Sequence, residues 1–326
     1  MTDATTDTPA RSKKIRLGIS TCLLGENVRY DGGHKLDRWL RDELGHYVDY
    51  VPVCPEAECG LGIPREAMRL VGDSEDPRLV TIKTGIDHTD RMKAWSRERV
   101  NQLAGEGLSG FIFKAKSPSS GMERVKVYDE NGMPSKSGRG IFARIFIEHF
   151  PLLPVEEEGR LNDPRLRENF IERIFVMQRW QEMERAGVSR GSLVDFHAAH
   201  KLLIMAHNQA AMRRLGRLVA ELKGRSIGVA AAEYVSELMA TLARPATVKK
   251  NTNVLQHVMG YFKKHLETDE KQELLEIIER YHAGLYPLIV PITMLNHHLA
   301  RHKPDYLKRQ HYLDPHPVEL RLRTWL

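Results

Sequence analysis

The period of the hydrophobic pattern changes near residue 160, and this change limits the architectures that the chain can adopt. From Ile15 to about Phe150, β-branched and aromatic runs alternate with longer mixed segments: IRLGIST, YVDYVPVC, LVTIKTG, GFIFKAK and RVKVYDE. The runs predict strands, and the segments LDRWLRDELGH and DHTDRMKAWSRERVNQLAGEG predict helices. Alternating strands and helices predict an α/β domain with a Rossmann-like parallel or mixed sheet.

The second half carries only helical patterns. Asn162 or Asp163 can cap a helix with Pro164 in its first turn, and LRENFIERIFVMQRWQEMERAG follows with a period of about 3.6 residues. The sequence therefore predicts an all-α C-terminal domain. We expect a disordered leader over 1–14, the α/β domain over 15–158 and the helical domain over 159–326.

Composition excludes some classes of protein. No apolar run of this 326-residue chain approaches the roughly 18–20 residues that span a bilayer. The N-terminal stretch MTDATTDTPARSKK lacks an apolar signal core, and three cysteines are too few for a disulfide framework. These features predict a cytoplasmic protein with no membrane partner. The net charge of +6 permits a polyanionic partner without demanding one.

Three loops rich in Gly, Pro, Ser or Cys follow predicted strands: TCLLGENVRYDGGHK, CPEAECGLGIPRE and KSPSSGMER. Ligands of such sheets bind at the carboxyl ends of the strands. We therefore expect these loops to converge on one crevice. They carry all three cysteines of the chain, Cys22, Cys54 and Cys59.

The residues of these loops leave alternatives open. The thiols can be inert and buried, or they can ligate a metal cluster with one open iron position. Glu56 and Glu58 can be solvated charges or, on one side of an extended loop, can supply a general base. The serine loop can be a plain turn or a cradle for an anion or substrate. Arg29 and Tyr30 lie in a turn, RYDGG, and can contact a ligand.

The motifs CLLGENVRYDGGHK, VPVCPEAECGLGIPRE and FKAKSPSSG, in this order, resemble the TudS-like thiouracil desulfidase family over roughly residues 15–150. The segments DFHAAHKLLIMAHNQ and KPDYLKRQHYLDPHP resemble the YbgA-type domain. The fusion of the two is similar to the RudS-type desulfidases. The resemblance implies removal of sulfur from thiolated uracil, in particular 4-thiouridine in tRNA, at a 4Fe-4S cluster.

The resemblance also implies roles for individual residues. Cys22 and Cys54 match the first two cluster ligands, and Glu56 and Ser117 match catalytic residues of the family. The family commonly has SPSCG where this chain has serine at Ser120.

For the third cluster ligand we expect Cys59. Weak ligation by Ser120, or a chain that holds no cluster, are the rival interpretations. For substrate binding we expect four side chains of the turn and the serine loop: Arg29, Tyr30, Ser119 and Ser120.

The helical half carries the positive excess, since 190–326 contain 20 Lys and Arg against 13 Asp and Glu. Basic clusters with tyrosines nearby suit phosphate contact and base stacking, which predicts docking of structured RNA. Solvated helix faces are the ordinary alternative. The expected partners are thiolated tRNA, free thiouracil or thiouridine.

Two other functions compete with a desulfidase. One is a non-catalytic RNA-binding or sensing protein with a degenerate cluster site. The other is a metal-free hydrolase-like enzyme that uses the serine loop, although the chain lacks the G-x-S-x-G motif.

Overall fold

The computed structural model describes residues 14–325, so the predicted leader lies outside the described residues except for Lys14. The predicted α/β domain followed by an all-α domain is confirmed. The strands are β1 (Ile15–Ser20), β2 (Val48–Val53), β3 (Met68–Val71), β4 (Arg78–Thr81), β5 (Phe111–Phe113), β6 (Val125–Tyr128), β7 (Pro134–Gly138) and β8 (Val155–Glu157).

The helices of the α/β domain are α1 (Pro55–Glu58), α2 (Thr89–Ala104) and α3 (Ile141–His149). Those of the second half are α4 (Pro164–Arg185), α5 (Arg190–His207), α6 (Gln209–Ala220), α7 (Ile227–Leu242), α8 (Val248–Tyr261), α9 (Thr268–His282), α10 (Ile289–His302) and α11 (Asp305–Lys308). Within 14–325, no helix is both long and apolar enough to cross a membrane.

The first sheet is parallel, with the order β2-β1-β5-β8. The chain runs from β1 outward to β2 and later returns to the other side of β1 with β5. Such a reversal of direction opens a crevice at the carboxyl ends of the strands. The sheet core includes Ile15, Leu17, Ile19 and Ile112, all nearly inaccessible to solvent.

A second sheet, with the order β4-β3-β6-β7, lies beside this edge. Its central pair β3 and β6 is parallel, and both outer pairs are antiparallel. Leu70, Val125 and Val127 point inward and pack with Met92 of α2. The opposite face of this sheet is left for polar side chains.

The helix predicted over LDRWLRDELGH is wrong in type. The structure has a π-helical turn at Trp39–Glu43 and a 3-10 turn at Leu44–His46. Gly45 lies inside this segment, and glycine weakens a helix interior. The helix predicted between the third and fourth strand patterns is confirmed as α2, which is capped by the expected Gly105.

Helix α4 belongs to both halves of the molecule. The predicted cap is confirmed at Asp163, whose carboxylate accepts the backbone N–H of Arg165 at 2.8 Å. Phe170 and Ile174 pack against the first sheet, whereas Trp180 lies in the core of the helical half. The boundary at 158/159 therefore stays a prediction, because one continuous helix connects the two cores.

A buried ionic cluster fixes the C-terminal segment to α4. The Arg323 guanidinium, 3 % exposed, lies 3.1 Å from Glu168 and 3.4 Å from Glu172. Glu172 also contacts His207 Nε2 at 2.6 Å, and Trp325 donates to Glu168 at 2.8 Å. Buried carboxylates without their cation are costly, so the guanidinium is needed once these glutamates are inside.

We predict that Arg323→Met lowers the free energy of unfolding by about 3–5 kcal/mol, because it leaves two carboxylates buried without their guanidinium. Urea denaturation measures this loss. Arg321→Met is the matched control, since Arg321 is exposed and two residues away. Equal stability of the two variants would contradict the role given to the cluster.

Candidate active site

A cavity of about 300 Å³ opens at the carboxyl edge of the first sheet. Cys22 follows β1, Cys54 directly follows β2, and Lys114 directly follows β5. All three line the cavity because parallel strands end at one edge of a sheet. The expected convergence of the three loops is therefore confirmed.

Two buried thiols form part of the wall. Cys22 and Cys54 are each 8 % exposed. Burial, with a contribution from the Glu56 carboxylate, raises the pKa of Cys22 to about 11 and that of Cys54 to about 12. Lys114 opposes the shift at Cys22, and Arg65 opposes it at Cys54, without cancelling either. Without a bound cation, both thiols stay protonated at neutral pH.

The structure does not bring the predicted ligand Cys59 to the cavity wall. Its thiol lies 3.4 Å from the Glu56 carbonyl oxygen and packs in the apolar cluster that contains Leu70. Because α1 is a helical turn, a five-residue step rotates Cys59 by roughly 140° from Cys54. The side chain of Ser120 does line the cavity.

The same helical turn separates the two glutamates. The expectation that Glu56 and Glu58 face one side of an extended loop is wrong. Glu58 turns back to accept the backbone N–H of Cys54 at 2.7 Å and pairs with Arg99 at 3.2 Å. Glu56 alone faces the cavity.

Hydroxyl groups hold the Glu56 carboxylate. Its Oε1 accepts a hydrogen bond from Ser119 at 2.5 Å and another from Ser117 at 3.3 Å. Its Oε2 lies 3.9 Å from the Arg65 guanidinium and 3.8 Å from the Cys54 sulfur. One oxygen is thus fixed from behind, and the other faces the thiol side of the cavity.

Of the predicted serines, Ser117 and Ser120 line the cavity, whereas Ser119 is fully buried behind Glu56. The Ser117 oxygen also accepts the backbone N–H groups of Ser119 at 3.3 Å and Ser120 at 3.2 Å. A Cβ at Gly140 would lie 2.4 Å from the Ser119 carbonyl oxygen. The serine loop therefore depends on a close backbone approach that glycine permits.

The predicted substrate-binding pair Arg29 and Tyr30 also lines the cavity. The Arg29 guanidinium lies 5.4 Å from the Tyr30 ring centre, and the ring is 43 % exposed. A flat, partly exposed surface of this kind suits a planar ring ligand.

Sequence reasoning missed the charged residues Lys114 and Arg65 of the wall. Lys114 forms an ion pair with Glu158, directly after β8, and Arg65 donates to the Val28 carbonyl at 3.0 Å. The signal for Lys114 was its place directly after the run GFIF, at the end of a strand.

Within residues 14–325, no three His, Cys, Asp or Glu side chains are arranged to hold a metal ion. The donors that meet at the cavity are two thiols, from Cys22 and Cys54, and the hydroxyl of Ser120. A Cys22 thiolate lies close enough to raise the pKa of Cys54. Buried thiols that ionise only against a cation suit a soft metal centre.

Comparison with known proteins agrees with this division. Residues 17–158 match the family model described as 2-thiouracil desulfurase, and 201–317 match the one described as protein of unknown function DUF1722. A solved structure titled [4Fe-4S]-dependent thiouracil desulfidase TudS is 28% identical and has a TM-score of 0.38. That match covers 46% of this chain and 95% of the other.

The chain is also 32% identical over 164 residues to the uncharacterized protein YbgA of Escherichia coli (strain K12). The match covers 50% of this chain and 97% of YbgA. The chain therefore belongs to the YbgA family, and it joins a domain of that type to an N-terminal TudS-like 2-thiouracil desulfurase domain.

Proposed function

We propose that this protein is a desulfidase that replaces the sulfur of thiolated uracil by oxygen, acting on 4-thiouridine in tRNA. One observation carries the proposal. In the segment that matches the 2-thiouracil desulfurase family, two buried thiols and a fixed carboxylate share one base-sized cavity.

The cofactor that we propose is a 4Fe-4S cluster, held by Cys22 and Cys54. The residues present fit such a group, because both thiols are buried where only a cation would keep them ionised. Since Cys59 lies off the cavity, we propose Ser120 as the third donor instead. When bound, the cluster supplies Lewis-acid chemistry toward sulfur.

Glu56 is the general base of the proposed reaction. Its Oε1 is occupied by two serine hydroxyls, which leaves Oε2 to take a proton from water in the cavity. Water oxygen bonds to the ring carbon, the carbon–sulfur bond breaks, and hydrosulfide leaves. The water supplies the oxygen of the product carbonyl and the hydrogens of the sulfide, so no electron donor is consumed.

The serine loop orients this base. Ser119 fixes Glu56 from the buried side, and Ser117 bridges the carboxylate and the loop backbone. Arg29 and Tyr30 form the side of the cavity against which the uracil ring rests. Positioning of the base and ring accounts for a large share of the expected rate.

The Ser120 hydroxyl, in place of a third cavity thiol, favours one second candidate. This is a non-catalytic RNA-binding or sensing protein that holds no cluster. Iron content separates the two functions before any activity is measured.

Protein purified without oxygen is expected to contain about four irons per chain and to release sulfide from 4-thiouridine. Cys54→Ser is expected to lose both, because it removes a thiolate donor. Iron and sulfide assays with product analysis measure the outcome. Desulfidation by an iron-free Cys54→Ser variant would refute the proposal.

Glu56→Gln is expected to retain the iron and lower kcat by about 10²–10⁴-fold, the range for loss of a general base. Glu58→Gln is the matched control, because Glu58 lies in the same turn but faces Arg99. Steady-state kinetics and iron content are measured for both. Near-normal turnover of Glu56→Gln would remove it from this role.

The third donor is tested by iron content alone. Cys59→Ser is expected to bind as much iron as the natural chain, whereas Ser120→Ala is expected to bind less. Ser120→Cys is expected to hold the cluster longer in air, since thiolate is the stronger iron ligand. Loss of iron in Cys59→Ser would restore Cys59 as the ligand.

A further inference from the structure

A groove of about 820 Å³ lies beside the active-site cavity, on the outer face of the second sheet. The two share Met68, Lys116 and Pro118, so a ligand in the cavity can continue into the groove. We call it the cationic groove after five side chains that line it: Arg69, Lys116, Arg124, Lys126 and Lys136.

Strand geometry places three of these cations on one face. Leu70 pairs with Val127, so Arg69 and Lys126, each one residue earlier, are neighbours on the opposite, outward face. Lys136 extends the row on β7, which pairs with β6. Like charges on neighbouring strands destabilise a sheet unless an anion lies over them.

The groove has no carboxylate to neutralise this row. Among residues 14–325, none of the five cations forms an ion pair. Of the acidic residues that line the groove, Glu123 pairs with Arg160 at 2.9 Å, and Glu157 accepts the backbone N–H of Met122 at 2.7 Å. The free positive charge is thus available to a ligand.

Lys116 and Arg124 stand where the groove meets the cavity. Their backbone φ angles are 62° and 53°, in the left-handed region that costs a residue with a side chain about 1 kcal/mol or more. Both are exposed, and they flank the serine loop. Strain of this kind at two exposed cations points to a functional constraint on the loop.

We propose that the cationic groove binds the phosphodiester backbone of the RNA strand that flanks the thiolated nucleotide. This inference rests on the proposed function of the cavity. The cavity has room for a base, while the larger groove spreads its cations over three strands and a loop, as successive phosphates require. Arg69 over the Tyr128 ring, at 5.0 Å, adds a stacking surface.

The test compares two double variants of the full chain with equal loss of charge. Lys126→Gln/Lys136→Gln changes the groove, and Arg38→Gln/Arg97→Gln changes exposed cations that line neither site. Binding of an unmodified oligouridylate is measured by fluorescence anisotropy over a range of salt. Sulfide release is measured from free 4-thiouracil and from thiolated tRNA, and thermal unfolding checks the fold.

The groove pair is expected to bind RNA at least about tenfold more weakly, with a salt dependence shallower by about 1 per lost phosphate contact. Its turnover of free 4-thiouracil is expected to stay normal, while kcat/KM for tRNA falls. Unchanged RNA affinity and salt slope, or an equal loss in the control pair, would overturn the inference. If the natural chain releases no sulfide from either substrate, the proposed function fails, and the binding data still decide on the groove.

Discussion

The carboxyl edge of the first sheet is the constraint on which the site depends. Parallel strands end together, so segments far apart in sequence deliver Cys22, Cys54 and Lys114 to one place. Ionising two thiols there is costly, because burial raises both pKa values far above that of an ordinary thiol. The site is therefore incomplete as a set of side chains alone, and a cationic centre would supply the missing charge.

The helical half is joined to this edge through α4 and the C-terminal segment, not through a flexible linker. Leu320 and Leu322 pack in the core of the first sheet, while Arg323 is buried against glutamates of α4. The last residues of the chain thus stabilise both halves at once. Any RNA held by the helical half is presented at a fixed orientation to the sheet edge, because no hinge separates the two cores within the described residues.

The order of strands and helices could be predicted from hydrophobic period, and the convergence of the loops followed from the rule for parallel sheets. Sequence failed where one backbone turn decides direction. Residues Pro55–Glu58 form a helical turn, which sends Cys59 and Glu58 away from the cavity. The strand cations were missed for a different reason. Arg69, Lys126 and Lys136 are far apart or ten residues apart in sequence, and only strand pairing makes them neighbours.

The two binding surfaces are also mechanically connected, because one segment forms both. The chain leaves β5 in the first sheet, forms the serine loop, and enters β6 in the second. Ser119 of this loop holds Glu56, while Lys116 and Arg124 at its ends face the groove. An RNA backbone in the groove would press on the same segment that positions the base, so its phosphates can tighten the geometry at Glu56. A free thiouracil makes no such contact, which gives the enzyme a physical reason to act faster on a polynucleotide than on the base alone.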